Sequence, residues 1–154
     1  FFNLPAEAEK FNAFVSGLSA SGGGDAPESA LEAICLAMKS DWDRGGEKRR
    51  HAVVVWTDAP AHELERRLTA KAKVPMPTDK LPNNFDEMTD WWEGGVMDKV
   101  ARRMVLFAPE ETPWTRFSGW DQCTWYPSQA GAGLSDVDYT EIISQVAQSV
   151  EGGQ

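Results

Sequence analysis

The chain has 154 residues, the size of one domain, and hydrophobic residues make up 42% and charged residues 25% of it. This is the balance of a soluble globular protein. The formal net charge of −9 serves solubility, argues against nucleic-acid binding, and suits a cation or a basic protein partner. The longest apolar runs are far shorter than the roughly 20 residues that a membrane span requires.

Apolar residues at helical spacing predict two helices before the first strand. The first is expected over 6–19, and the glycine run 22–24 ends that unit. The second is expected over 27–38. The apolar faces consist of Phe11, Phe14, Val15 and Leu18 in the first helix, and of Leu31, Ile34, Cys35 and Met38 in the second.

The continuous apolar run 52–56 predicts a short strand that is buried on both faces, as in a parallel sheet. After Asp58 the chain is expected to turn at Pro60 and to form a short helix through Leu68. Residues 70–84 hold three prolines and no clear period, which favours a loop. A helix over 85–100, interrupted or ended near Gly94 and Gly95, should follow.

The last part of the chain predicts two more strands and a closing helix. The run 104–108 is a second buried strand stopped by Pro109, segment 114–120 is ambiguous, and 124–126 favours a third strand. Ser135 is expected to cap the final helix with Asp138 as its capping-box partner. Its apolar stripe is Tyr139, Ile142, Ile143, Val146 and Val150. This alternation predicts an α/β fold with a parallel sheet over 1–150, followed by a short tail at 151–154.

Two places supply carboxylates where an open α/β sheet binds ligands. Asp25 lies in the glycine loop before the second helix, and Thr57 and Asp58 directly follow the first strand. Hard divalent cations such as Mg²⁺ take oxygen ligands of this kind. Each place also has a plain structural interpretation, because Asp25 with Glu28 fits a helix-capping pair and Asp58 can begin the turn at Pro60.

The two segments together resemble the von Willebrand factor type A (vWA) family. The run Gly-Gly-Gly-Asp-Ala-Pro-Glu-Ser-Ala-Leu-Glu-Ala at 22–33 is similar to its glycine loop and helix. The run Val-Val-Val-Trp-Thr-Asp-Ala-Pro at 53–60 is similar to its next strand and acidic turn. The resemblance implies a Rossmann-like, three-layer sandwich with a mostly parallel sheet, in which 70–95 is an insertion. It also implies a Mg²⁺ adhesion site with Asp25 and Asp58 as ligands, Thr57 in support, and a partner protein's carboxylate completing the shell.

The sequence departs from the family in lacking the Asp-x-Ser-x-Ser loop of that metal site. In the family this loop and three strands would precede Phe1, so an upstream portion, another chain, or a metal-free homologue are the open interpretations. The leading hypothesis is a non-enzymatic, Mg²⁺-dependent protein-interaction module. The alternatives are a metal-free structural vWA scaffold subunit and a metal-dependent hydrolase.

Other chemical candidates have simpler interpretations. His62 is expected on a helix surface, and no local pattern links Cys123 to His51 or His62 as nucleophile and base. A buried thiol is expected at Cys35, and the absence of redox or zinc spacing favours a reducing compartment such as the cytoplasm. We expect Trp91 and Trp92 to pack internally, and the basic run 48–50 to be a solvated strand entrance.

Overall fold

A computed structural model describes residues 1–19, 27–46, 48–64, 81–129 and 138–151. The described elements begin with α1 (Ala8–Ser16), α2 (Ala30–Met38) and strand β1 (His51–Trp56). Helix α3 (Phe85–Gly94), strand β2 (Arg102–Pro109) and a 3₁₀ helix (Trp114–Gly119) follow. Strand β3 (Cys123–Ser128) and helix α4 (Tyr139–Glu151) come last. The α/β class predicted from the sequence is confirmed.

The three strands form one parallel sheet in the order β1-β2-β3. His51 pairs with Arg102 at the start of β1, and Trp56 pairs with Phe107 at its end. Strand β3 continues the sheet on the other side of β2, which is therefore central and buried along its whole length. Parallel strands need crossovers that cover the sheet, and the intervening helices provide them.

One face of the sheet carries the main hydrophobic core. Val53, Met104 and Leu106 point to this face and pack with α2 and α3. Trp92 of α3 is fully buried there, and its Nε1–H donates to the Asp121 carbonyl at 2.7 Å. The expectation of internal packing is thus confirmed for Trp92, while half-buried Trp91 lies under the Lys39 ammonium, 3.8 Å from the ring centroid.

The opposite face is covered by α4. Val105 and Phe107 of β2 pack with Ile142 and Val146 of this helix. Because α2 and α3 cover one face and α4 the other, the described elements form the three layers of an α/β sandwich.

Helix α1 has no buried residue, although its apolar spacing predicted its existence correctly. Phe14 is 55% and Leu18 63% exposed. Phe2 makes ring contacts with Phe11 and Phe14 at 5.7 and 5.6 Å. The apolar stripe of α1 therefore packs mainly on its own N-terminal segment.

Helix starts differ from the sequence-based prediction at both α2 and α4. Helix α2 begins at Ala30 instead of 27, because Glu28 is held in an extended main-chain bridge with Ala61. Helix α4 begins at Tyr139, and its cap is Asp138, whose Oδ1 accepts from Thr140 N at 2.8 Å. The predicted cap at Ser135 is therefore wrong for this helix, and Ser135 itself lies outside the described residues.

The end of α3 confirms the prediction made from Gly94 and Gly95. Gly95 has a φ of 90°, a left-handed conformation that glycine adopts without the steric cost of a Cβ atom. At the other end, the side chain of Asn84 accepts a hydrogen bond from Glu87 N at 2.9 Å. A regular helix therefore lies within the segment expected to be an insertion.

Two predictions around β1 need correction. The strand is buried on one face only, since Val53 is 8% and Val54 45% exposed; β1 lies at the edge of the described sheet and α4 covers β2 instead. The helix expected after Pro60 is not formed over 61–64, where Ala61 pairs with Glu28; its remainder and most of the loop 70–84 lie outside the described residues.

No helix within the described ranges is both long and apolar enough to cross a membrane.

Candidate metal centre

The carboxyl ends of the three parallel strands meet at one edge of the sheet. Thr57 and Asp58 follow β1 there, Glu110 and Glu111 follow β2, and Ser128 is the last residue of β3. Ligands of open α/β sheets bind at this edge because the connecting loops leave a crevice beyond the strand ends. The arrangement therefore places Thr57 and Asp58 where the sequence predicted them.

The turn that carries Asp58 is held by hydrogen bonds on three sides. Thr57 N donates to the Phe107 carbonyl at 2.9 Å, and the Thr57 hydroxyl accepts from Ala59 N at 3.1 Å. The hydroxyl of Ser128 donates to the Thr57 carbonyl at 3.0 Å, and the indole N–H of Trp114 donates to the Ala59 carbonyl at 3.0 Å. The orientation of this turn thus depends on β2, β3 and the 3₁₀ helix.

A short main-chain bridge joins this turn to the end of the glycine loop. Glu28 N donates to the Pro60 carbonyl at 2.9 Å, and His62 N donates to the Glu28 carbonyl at 3.0 Å. Asp25 precedes Glu28 by three residues but lies outside the described residues. The bridge rules out the capping-pair interpretation, because Glu28 is extended and Ser29 stands at the N-cap without a side-chain bond.

The oxygen donors at this edge suit a hard cation but do not by themselves make a full shell. Asp58 offers a half-buried carboxylate and Thr57 a hydroxyl. Within the described ranges, no group of three or more His, Cys, Asp or Glu side chains is placed to hold a metal ion. Mg²⁺ is commonly held by one or two carboxylates with water in the other positions, so the donor chemistry fits.

Sequence reasoning missed Ser128 and Trp114, which hold the turn from outside its own segment. Ser128 ends β3, and a polar residue at a strand end is a signal that could have found it. Trp114 gave no such signal, because its bond to Ala59 spans 55 positions of sequence.

The structure offers no support for a thiol nucleophile. Cys123 lies on β3 and His51 on β1, with β2 between them. Burial raises the pKa of the Cys123 thiol to about 12, so the thiol stays protonated near neutral pH. The Nε2 atom of His51 lies 2.7 Å from the Asp43 carbonyl and is engaged there.

Comparison with known families gives a match for the segment that contains the Asp58 turn. The family model of the von Willebrand factor A domain matches residues 4–76. Residues 4–76 are thus similar to the von Willebrand factor A domain family. No curated protein and no solved structure is significantly similar to the chain.

The vWA match includes Asp25, Thr57 and Asp58, the three residues predicted for the metal site. It covers α1, α2 and β1, and it ends before α3. The parallel β2 and β3 and the covering helix α4 extend the vWA segment into a Rossmann-like sheet.

Proposed function

We propose that this chain is a non-enzymatic protein-interaction module in which Asp25 and Asp58 bind Mg²⁺ at the carboxyl edge of the sheet. The observation that carries the proposal is the main-chain bridge between Glu28 and Ala61, within the segment that matches the vWA family. It holds Glu28, three residues after Asp25 in the sequence, against the turn that carries Asp58. One carboxylate from Asp25 and one from Asp58 would match the one or two carboxylates by which proteins usually bind Mg²⁺.

In the proposed site, Asp58 binds the cation directly or through water, and Asp25 approaches from the glycine loop. Thr57 supports the shell by fixing the turn, since its hydroxyl accepts the Ala59 N–H. The bound ion would supply an open coordination position to a carboxylate of the partner protein. The partner's affinity should then depend on both the metal and the acidic side chain that it contributes.

Mg²⁺ titration of the chain, followed by calorimetry and by thermal unfolding, tests this proposal. A cation that binds only the folded state raises the midpoint of unfolding. We expect Mg²⁺ to raise it in the wild type, and Asp58→Asn to weaken the Mg²⁺ affinity by at least about tenfold, about 1.4 kcal/mol. Asp90→Asn, on an exposed position of α3, removes the same charge away from this edge and should leave the affinity unchanged.

A metal-free scaffold is the second candidate function. It is favoured by the absence of the Asp-x-Ser-x-Ser segment and by the small number of donors grouped in the described ranges. On this alternative, Mg²⁺ does not change the midpoint of unfolding of the wild type. The Asp58→Asn variant then binds Mg²⁺ no more weakly than the wild type does. That pair of results would contradict the metal-dependent proposal.

A further inference from the structure

Strand β1 directs half of its main-chain groups away from β2. Directly after the strand, Thr57 N donates to the Phe107 carbonyl of β2 at 2.9 Å. In a parallel pair, alternate residues of one strand bond to its neighbour, so the N–H and carbonyl groups of Ala52 and Val54 point to the outer edge. Among the described residues, no strand pairs with β1 on this side.

The side chains of these two residues lie on the side of the sheet that carries α4. Val54 is opposite Val105 in the register of β1 and β2, and Val105 packs in the cluster beneath α4. Ala52 precedes Val54 by two positions, which places it on the same face. Val54 is nevertheless 45% exposed. The edge of β1 therefore presents apolar side chains together with its outward main-chain groups.

The outer edge of β3 cannot accept a strand in the same way. Met104 N donates to the carbonyl of Gln122, just before β3, at 2.9 Å. Even-numbered residues of β3 thus bond to β2 and odd-numbered ones point outward. Pro127 occupies one of the outward positions and has no N–H to donate. Association through the described sheet edges therefore uses β1, and it closes at two copies instead of continuing into a filament.

Strand β1 is complementary to itself about a two-fold axis. An axis perpendicular to the sheet sets the β1 strands of two copies antiparallel. With the axis at Val53, Ala52 of each copy lies opposite Val54 of the other, and both direct their main-chain groups into the contact. Each such pair exchanges two hydrogen bonds, so the two pairs make about four. A shift by one residue fails, because it would oppose Val54 to a residue that bonds to β2 instead.

Side chains and charges favour the same antiparallel arrangement. The exposed side chain of Val54 gains the small Ala52 as its cross-strand neighbour. The basic run 48–50 precedes the strand and Asp58 follows it, so ends of opposite charge lie together at both ends of the pairing. This concerns the sign of the charge at each end and not a bond between particular side chains. The net charge of −9 opposes association at longer range, so the affinity should be modest.

We propose that two copies of this chain pair through the outer edges of β1 and form one continuous sheet containing all three strands of each copy. The occupant of the open edge is thus a second copy of the chain, bound mainly by main-chain hydrogen bonds. The contact does not require a metal ion. It can therefore be measured in the presence of EDTA, and it can fail without affecting the proposed Mg²⁺ site.

Sedimentation velocity over a range of protein concentrations, with EDTA present, tests the proposal. We expect monomers on dilution and dimers at high concentration. Val54→Pro removes an outward N–H but no bond between β1 and β2, so it should stay monomeric where the wild type is dimeric. Val54→Thr is the matched control, because it keeps the N–H and the branched shape and should still dimerise. A wild type that is monomeric throughout, or equal dimerisation of the two variants, would overturn the proposal.

Amide hydrogen exchange tests the same edge in the wild type, so the proposal stays testable if Val54→Pro does not fold. The amides of Ala52 and Val54 should exchange at least about tenfold more slowly where the dimer predominates than on dilution. Those of Val53 and Val55, which bond to β2, should change little. If Ala52 and Val54 are equally protected in the monomer, another part of the chain covers the edge and the proposal is wrong. Assemblies larger than a dimer would also contradict it.

Discussion

Asp98 shows how a single side chain organises the entrance to β2. Its carboxylate pairs with Arg49 and accepts from Val100 N at 2.9 Å and Ala101 N at 3.1 Å. The bond from Arg49 first, and then the two main-chain donors, hold the pKa of Asp98 below its ordinary value. A carboxyl group with a depressed folded-state pKa stabilises the fold only while it is ionised.

The stability conferred by Asp98 should therefore be lost in acid. It is fully present above the unfolded-state pKa, about 3.9, and disappears as the pH falls through the lower folded-state value. We expect Asp98→Asn to be less stable than the wild type near pH 7, and the difference to shrink to nothing at the acid end. Urea unfolding across this pH range measures it. If the free energies of unfolding of the two proteins differ by the same amount at every pH, the stabilising role assigned to ionised Asp98 is wrong. The Asp90→Asn variant is the control for the loss of one negative charge.

At the scale of elements, the 3₁₀ helix links the core to the candidate metal centre. The sequence left 114–120 ambiguous, because a segment this short has no readable apolar period. In the structure, Phe117 and Trp120 make a ring contact at 4.5 Å within the main core. Trp114 is fully buried, and its indole N–H holds the Ala59 carbonyl. This element thus fixes the Asp58 turn through packing far along the chain.

Trp114→Phe should loosen the turn while keeping an aromatic ring in the core. The loss of one hydrogen bond and the unsatisfied Ala59 carbonyl should lower the free energy of unfolding by about 1 to 3 kcal/mol. Chemical denaturation measures this, and the Mg²⁺ affinity should fall with it. Ser118→Ala, at an exposed position of the same 3₁₀ helix, should change stability by no more than about 0.5 kcal/mol. If both substitutions change the free energy of unfolding equally, the bond from Trp114 does not stabilise the Asp58 turn.

At the scale of the whole molecule, the two outer strands of the described sheet differ in how their edges are protected. The bonds His51 N to Ala101 O and Thr57 N to Phe107 O direct alternate residues of β1 to β2. The main-chain groups of Ala52 and Val54 therefore point to the outer edge. On β3 the equivalent outward position holds Pro127, which has no N–H to offer. Among the described residues, no strand pairs with the outer edge of β1, which is therefore open to pairing there, whereas Pro127 blunts the outer edge of β3.

Val54→Lys should reduce association of the chain through this edge without unfolding it. Val54 is 45% exposed, so a lysine there keeps its ammonium in water and places a charge beside the open edge. Light scattering as a function of concentration should show less association than in the wild type. Val53→Lys is the contrast, because Val53 is 8% exposed and a buried lysine should destabilise the fold. If Val54→Lys unfolds as readily as Val53→Lys, the edge assignment is wrong.

Local chemistry in the sequence determined the existence and type of most elements. The apolar spacing of α1 and α2, the β-branched run of β1 and the glycines after α3 each act within a few neighbouring residues, so they can be read without a fold. The vWA resemblance likewise rested on two contiguous segments, and the family match over 4–76 includes both.

Only the tertiary structure decided which segments meet, because those contacts join residues far apart in the chain. It set Glu28 in a bridge with Ala61 and so moved the start of α2 to Ala30. It left β1 at the edge of the described sheet, where Val54 is exposed, and set Ala52 opposite Arg103 in the register of β1 and β2. The apolar period of a segment indicates which of its residues form the face to be buried. The order of the strands determines which neighbouring strands and helices can cover that face.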